Sequence, residues 1–158
     1  MPEPRRRHHR RNNEGDKRRK VIYSIDTSVL LDILIPDPYF GPSSKETLKR
    51  ASAEGKLVIC PVVYAELSAF FRQKAELEAF LTKTGIKLSP FKKDHLWMAG
   101  KMWKDYLAGG GKRKNRILAD FLIGGFSKTE ADAIITRDAA FYSDTFNTKV
   151  YYLKKDSE

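Results

Sequence analysis

The sequence has a single cysteine, Cys60, among 158 residues. No intramolecular disulfide can form, and a zinc site built from several cysteines is excluded. No apolar run approaches the ~20 residues that span a bilayer. The first residues are also too basic and polar for a secretory signal. We therefore expect a cytoplasmic protein without membrane contact, in which Cys60 is a small core residue.

Several catalytic patterns are also missing. His95 is the only histidine inside the expected domain, whereas acid–base phosphodiester cleavage without metal normally needs two. No Gly-x-Ser-x-Gly motif occurs, which excludes a nucleophile elbow. Gly111-Lys112 does not complete a phosphate-binding loop, because Tyr106 and Arg113 stand where Gly and Ser or Thr are required. We interpret His95 as a structural, partly exposed side chain.

The composition is that of a globular domain with a basic extension. Apolar residues make up 41% of the chain and aromatic residues 11%, which is ordinary for a domain with a packed core. Residues 1–20 hold nine basic and three acidic side chains, so they supply +6 of the net charge of +10. This segment lacks apolar periodicity and is predicted to be a disordered tail. It can bind polyanions through phosphate contacts or simply solubilise the chain. We expect a domain over 21–153 and a short C-terminal tail over 154–158.

Apolar runs alternate with helical patterns throughout the domain. Strands are predicted at 21–26, 57–60, 86–88, 133–136 and 150–153, and helices at 29–35, 43–54, 62–72, 74–84, 92–108 and 115–126, with a turn or short helix at 138–143. Ser43-x-x-Glu46 is typical of a capping box, Pro61 suits a first helical position, and Gly85 is a helix stop. This alternation predicts an α/β fold whose mainly parallel sheet is covered on both faces.

Four carboxylates occupy segments that otherwise look buried. Asp26 ends the first strand and Asp138 follows the fourth, while Glu66 and Asp120 lie early in helices that flank strands. In a parallel sheet the ligand crevice lies beyond the carboxyl ends of the strands, so all four can meet at one edge. A buried carboxylate is costly without a partner. Oxygen ligands suit a hard divalent cation, and Mg²⁺ or Mn²⁺ is the partner we predict.

Each acid has an ordinary alternative role. Asp26 can be a helix N-cap, and Glu66 can lie on a solvated helix face. Asp120 can be the i, i+4 ion-pair partner of Arg116, and Asp138 can be a turn residue. These four roles are unrelated to one another, whereas one shared cation explains the positions of all four acids together.

Four segments in this order resemble the PIN-domain ribonucleases, and most of all the VapC-type toxins of prokaryotic toxin–antitoxin pairs. They are Asp26-Thr27-Ser28-Val29-Leu30, the helix start that carries Glu66, Arg116-Ile117-Leu118-Ala119-Asp120-Phe121-Leu122-Ile123-Gly124, and Ile135-Thr136-Arg137-Asp138 followed by Phe141. The resemblance covers about residues 21–153. It implies a PIN-like three-layer α/β/α sandwich. One departure is Gly124-Gly125-Phe126-Ser127, where the family often continues with small residues and a His-Ala pair.

The resemblance implies that Asp26, Glu66, Asp120 and Asp138 are both the metal ligands and the catalytic residues. Ser28 and Thr136 match positions where a hydroxyl helps to hold the first or last acid, although local backbone capping is an equal alternative. The implied reaction is hydrolysis of RNA with one or two Mg²⁺ or Mn²⁺ ions, leaving 5′-phosphate and 3′-hydroxyl ends. The implied partners are an RNA substrate, a small antitoxin protein and a second copy of the chain.

Basic and apolar segments suggest where these partners bind. Lys112, Arg113, Lys114 and Arg116 follow a run of three glycines and precede the helix of Asp120, so they can clamp an RNA backbone or form a solvated loop. Apolar helices around Leu67–Phe71 and Leu77–Leu81 suit a homodimer or partner surface. Two other functions stay open at this point. One is a PIN nuclease of ribosomal RNA processing, and the other is a non-catalytic RNA-binding module.

Overall fold

The computed structural model describes residues 19–151, so most of the basic tail and residues 152–158 lie outside the described part of the chain. The elements in chain order are β1 (Val21–Ile25), α1 (Thr27–Leu34), α2 (Gly41–Glu54), β2 (Gly55–Ile59), α3 (Pro61–Ser68), α4 (Lys74–Thr84), β3 (Lys87–Leu88), α5 (Lys93–Ala108), α6 (Leu118–Glu130), β4 (Ala133–Ile135), α7 (Ala139–Phe146) and β5 (Val150–Tyr151). The prediction of a disordered tail at 1–20 and the prediction of a C-terminal tail at 154–158 fall almost wholly outside this range.

The strands form one sheet in the order β3-β2-β1-β4-β5. Every neighbouring pair is parallel, and β1 lies at the centre between β2 and β4. Tyr23 is opposite Leu57 on one side and Ala133 on the other. The predicted α/β fold with a parallel central sheet is confirmed. The carboxyl ends of the three central strands therefore share one edge.

Local signals determine several element boundaries. Pro61 opens α3 as predicted, because the missing N–H of proline costs nothing at a first helical position. Gly85 ends α4 in the left-handed conformation at φ 70°, which glycine adopts without steric cost. The predicted capping box at Ser43 is wrong. The helix α2 starts earlier, at Gly41, with Phe40 at the N-cap and Pro42 in its first turn.

Two predicted helices have different bounds because nearby backbone groups find other partners. The helix predicted to reach residue 72 ends at Ser68. The Glu76 carboxylate accepts the backbone N–H groups of Arg72 (3.1 Å) and Gln73 (3.3 Å), so these two residues lead into α4, with Gln73 as its N-cap. The helix predicted at 115–126 begins at Leu118 and continues to Glu130, because residues 112–116 form a turn of their own.

An aromatic cluster packs α6 against α5 and α7. Its members are Trp103 and Tyr106 of α5, Phe121 of α6, and Phe141, Tyr142 and Phe146 of α7. A Cβ at Gly124 would lie 2.2 Å from the Phe146 ring, and one at Gly125 would lie 2.8 Å from the His95 carbonyl oxygen. The two glycines that depart from the family pattern therefore allow close approach of a ring and of a neighbouring helix.

His95 and Cys60 are both core residues. Cys60 is 1% exposed, as predicted. His95 is only 2% exposed, so the prediction of partial exposure was wrong. Its Nδ1 accepts the Lys92 N–H at 3.0 Å, which assigns the ring proton to Nε2, 3.3 Å from the Glu130 carboxylate. Within residues 19–151, no helix has both the length and the apolar character needed to cross a bilayer.

Candidate active site

The carboxyl edge of the sheet gathers the predicted acids from four different segments. Asp26 follows β1, and its backbone N–H donates to the carbonyl oxygen of Ile135 in β4 at 3.0 Å. Asp138 lies three residues beyond that carbonyl, at the start of α7. Glu66 lies in α3, which follows β2, and Asp120 lies in the first turn of α6. The parallel topology is what brings these elements to the same edge.

Thr136 joins the first and last acids through one hydroxyl group. Its Oγ1 donates to Asp26 Oδ2 at 2.8 Å and accepts the backbone N–H of Asp138 at 3.0 Å. Thr136 itself is 2% exposed, so water competes little for these bonds. The side chain of Asp26 and the backbone of Asp138 are therefore held together by a single buried group.

Asp26, Glu66 and Asp120 lie within electrostatic reach of each other. The pKa of Asp26 is raised to about 6, first by burial and to a smaller extent by the negative charges of Glu66 and Asp120, while the Thr136 hydrogen bond opposes the rise. The pKa of Glu66 is also raised, first by burial and then by Asp120. Like charges that disfavour each other's ionisation form a site that a cation would stabilise.

Glu66 differs from the expectation of a buried acid. It lies on the solvent-exposed side of α3, although one oxygen accepts a hydrogen bond from Thr27 Oγ1 at 3.2 Å. Asp26, Asp120 and Asp138 are only partly buried. The acids therefore line an open rim rather than a closed cavity, and a long polymer could enter it.

Asp120 and Asp138 each have a protein partner. Asp120 Oδ2 accepts the backbone N–H of Ile117 at 3.0 Å and so caps its own helix. Asp138 forms a short ion pair with Arg116. The alternative pairing of Arg116 with Asp120 is thus not the one observed. Arg116 also lies over the Phe141 ring, 3.9 Å from its centroid, which fixes the guanidinium at the rim.

The donor set fits a hard divalent cation, although the site is not a closed cage. Among residues 19–151, no group of three or more His, Cys, Asp or Glu side chains is already spaced to surround an ion. Mg²⁺ usually binds one or two carboxylates directly and keeps several waters, so an open rim of carboxylates is sufficient. Asp26 and Glu66 would hold such an ion, with Asp120 within electrostatic reach of both. Asp138 is linked to Asp26 through the Thr136 hydroxyl.

Ser28, Thr27 and Asp32 differ from what the sequence predicts about the polar groups around the acids. Ser28 Oγ is buried without a hydrogen-bond partner in the described structure, and the neighbouring Thr27 bonds to an acid instead. Sequence reasoning missed Asp32, whose side chain is 2% exposed, accepts a hydrogen bond from Ser44 and pairs with Arg137. An acid within the apolar run Val-Leu-Leu-Asp-Ile-Leu-Ile carried the same signal as the four acids that were found.

The basic loop between α5 and α6 is tied down by Tyr106. The Tyr106 hydroxyl donates to the Lys112 carbonyl oxygen at 2.9 Å and accepts the Lys112 N–H at 3.1 Å. Arg113 lies 5.5 Å from the Trp103 ring centroid. Lys112, Arg113 and Lys114 are solvent-exposed or nearly so, which leaves their charges available. The backbone after the triple-glycine segment is therefore more constrained than a run of three glycines would predict.

The helices proposed as a dimer surface contribute mainly to the core. Leu67, Leu77 and Leu81 are 0%, 1% and 5% exposed, so these three side chains belong to the core, and the use of the two helices as a partner surface stays a prediction. Phe70 remains 49% exposed. Other exposed apolar side chains are Leu96 and Trp97 on α5 and Ile117 and Leu118 at the start of α6.

The family model of the PIN domain matches residues 23–144, well over half of the chain. The protein therefore belongs to the PIN-domain family, whose members are generally nucleases. Comparison with curated proteins gives no significant match.

Similar solved structures agree with this fold. One similar structure is that of VapBC2 from Rickettsia felis bound to a DNA fragment from the VapBC2 promoter. It has a TM-score of 0.66 at 17% identity, and the match covers 83% of this chain and 98% of that one. VapBC-1 from nontypeable Haemophilus influenzae has a TM-score of 0.64 at 16% identity, covering 83% and 97%. FitAcB from Neisseria gonorrhoeae has a TM-score of 0.59 at 17% identity, covering 82% and 96%.

Proposed function

We propose that the protein is a metal-dependent endoribonuclease and the toxin of a toxin–antitoxin pair. The observation that carries this proposal is the convergence of carboxylates from four segments at the carboxyl edge of the sheet, in a chain that belongs to the PIN family. Repulsion among Asp26, Glu66 and Asp120 supports a role in cation binding, since these charges would otherwise destabilise the fold.

The proposed ligands are Asp26, Glu66, Asp120 and Asp138, with Mg²⁺ or Mn²⁺ as the ion. When bound, such an ion lowers the pKa of a coordinated water and offsets charge at the phosphate during hydrolysis. The water oxygen attacks phosphorus and the bond from phosphorus to the 3′-oxygen breaks, leaving a 5′-phosphate and a 3′-hydroxyl. Thr136 holds Asp26 in place for this role, as Thr27 does for Glu66.

Basic side chains beside the acids would bind the RNA backbone. Arg116 already lies at the rim through its pair with Asp138 and keeps further N–H donors for a phosphate. Lys112, Arg113 and Lys114 extend the positive charge along the adjoining loop. Metal and guanidinium would then contact the same strand from neighbouring positions.

A small antitoxin and a second copy of the chain are the proposed protein partners. The similarity to VapBC and FitAcB structures supports an antitoxin. An Arg or Lys of such a partner can pair with the acidic rim and block the metal site. The exposed apolar side chains of α5 and α6 are a suitable surface for either partner. Size measurement in solution, with and without the antitoxin, tests both assemblies.

The test of the enzymatic proposal is cleavage of single-stranded RNA by the purified full-length chain. Mg²⁺ or Mn²⁺ should support cleavage and EDTA should stop it. Asp26→Asn and Asp120→Asn should each reduce the rate by about a hundredfold, since loss of a group that only holds a metal ligand already costs about 10–100-fold. Asp144→Asn removes an exposed acid of α7 outside the rim and should cleave normally. RNA binding without cleavage would refute the enzyme and leave the binding module.

Cellular function needs a separate readout. Brief induction followed by sequencing of RNA 5′ ends maps the cut sites, and growth arrest that is relieved by a short protein from a neighbouring reading frame supports the toxin. Accurate trimming of ribosomal RNA precursors without growth arrest would instead assign the protein to RNA processing.

A further inference from the structure

Phe40 and Arg137 form an exposed pair beside the acidic rim. The Arg137 guanidinium carbon lies 4.5 Å from the centroid of the Phe40 ring. Phe40 is 38% exposed, although it is a large apolar residue, and the Arg137 side chain is 33% exposed. An aromatic ring paired with a guanidinium offers a flat surface that is both apolar and positively charged.

Polar groups of α1 and of the loop after it hold this pair in position. Arg137 Nη2 lies 3.4 Å from Asp32 Oδ1, and Asp32 Oδ2 accepts the Ser44 hydroxyl at 2.7 Å. On the other side, Asp37 Oδ1 accepts the backbone N–H of Phe40 at 2.8 Å. The Arg137 guanidinium and the backbone of Phe40 are therefore anchored before any ligand arrives, which lowers the entropic cost of binding to the pair.

The pair is adjacent to the candidate metal ligands. Arg137 lies in the chain between Thr136, which bonds to Asp26, and Asp138. Phe40 is the N-cap of α2, at the end of the loop that leaves α1, whose own N-cap is Asp26. Asp32, which pairs with Arg137, lies six residues along α1 from Asp26, about 9 Å along the helix axis, so a strand whose phosphate lies at the acids can extend to this pair.

We propose that Phe40 and Arg137 form a subsite that binds one nucleotide of the RNA substrate next to the bond that is cut. The base stacks on the pair, and the free N–H groups of Arg137 contact the adjoining phosphate. Single-stranded RNA presents unstacked bases that commonly stack on aromatic rings and on arginine planes. This proposal rests on the proposed ribonuclease function. Asp32 and Ser44 act only as positioning residues.

The test measures binding of a short, fluorescein-labelled, single-stranded RNA that spans a mapped cut site. The full-length protein is used, with Ca²⁺ replacing Mg²⁺ so that the RNA stays intact. Each nucleotide is replaced in turn by an abasic one. In the unaltered protein, one position next to the cut should lose affinity about fivefold or more. In Phe40→Leu, that position alone should become insensitive to base removal, because the stacking surface is already gone.

Matched variants separate stacking from a structural role. Phe40→Trp keeps an aromatic surface and should retain the sensitivity, whereas Arg137→Lys keeps the charge beside Asp32 but loses the planar group and should reduce it. Phe70→Leu removes another exposed phenylalanine and should change nothing. Base-removal effects that are the same in Phe40→Leu as in the unaltered protein would overturn the subsite. An absence of RNA cleavage with Mg²⁺ or Mn²⁺ would instead overturn the ribonuclease, and the subsite with it.

Discussion

Replacing Thr136 by valine tests whether one hydroxyl holds the candidate site together. Valine has nearly the same shape, so the core packing stays, but the hydrogen bonds to Asp26 and from the Asp138 N–H are lost. A bond to a charged carboxylate contributes about 1.5–3 kcal/mol and a neutral one about 0.5–1.5 kcal/mol. We therefore expect the free energy of unfolding to fall by about 2–4 kcal/mol. For a chain of this size, that lowers the Tm by about 4–16 °C.

The same substitution should weaken metal binding. Without the Thr136 bond, the pKa of Asp26 rises further, since that bond now lowers it. Removing a group that holds a metal ligand typically reduces metal affinity about 10–100-fold. Calorimetric titration with Mn²⁺ measures this loss, and thermal unfolding measures stability.

Thr148→Val is the matched control for both measurements. Thr148 is also buried, at 7% exposure, but its hydroxyl has no hydrogen-bond partner in the described structure. Losing that hydroxyl should leave stability unchanged or slightly higher, with normal metal affinity. If Thr136→Val is as mild as Thr148→Val, the hydroxyl does not hold the acids and the reasoning is wrong.

Three further predictions concern pH, helix packing and the thiol. The pKa of Asp26 is raised from 3.8 to about 6. Between pH 3.8 and about 6 the folded metal-free protein therefore binds a proton that the unfolded chain does not, so its free energy of unfolding should fall by up to about 3 kcal/mol as pH rises from 4 to 7. Denaturant titrations at several pH values should show a smaller pH dependence in Asp26→Asn. Gly125→Ala should lower the free energy of unfolding by about 1–3 kcal/mol, because the added Cβ meets the backbone of α5. Gly100→Ala adds a Cβ in open space and should stabilise α5 by up to about 1 kcal/mol. Equal melting temperatures for the two variants would contradict this account. Burial raises the pKa of Cys60 to about 11, so a thiol reagent should react with the folded protein far more slowly than with the denatured protein.

The sequence predicts elements well where the signal is local. The helix α4 was predicted at 74–84 with a stop at Gly85, and both are confirmed, because a capping carboxylate and a left-handed glycine lie within the segment itself. The sheet type could be predicted from the alternation of strands and helices. The strands at the edge were harder, since β3 has only two residues and depends on pairing with β2.

Side-chain partners from distant segments could not be read from the sequence. Arg116 pairs with Asp138, 22 residues away. It lies in the turn before α6 and not on the helix, so the i, i+4 relation assumed for Asp120 does not exist. The exposure of Glu66 depends on how α3 packs on the sheet, and this is a tertiary effect. The assignment of the four acids as metal ligands stays a prediction, and the division into tails and domain does too.

The central position of β1 has a consequence for how the protein is made. This strand is among the first parts of the domain to leave the ribosome, yet it pairs with β4, more than a hundred residues later. Contacts of such long sequence separation form slowly and cannot form at all before the late segment is synthesised. Asp26 therefore meets the end of β4 only after Ile135 has left the ribosome. Under the proposed function, the nascent chain therefore lacks the paired edge of β1 and β4 that carries Asp26 until residues 133–135 have been synthesised.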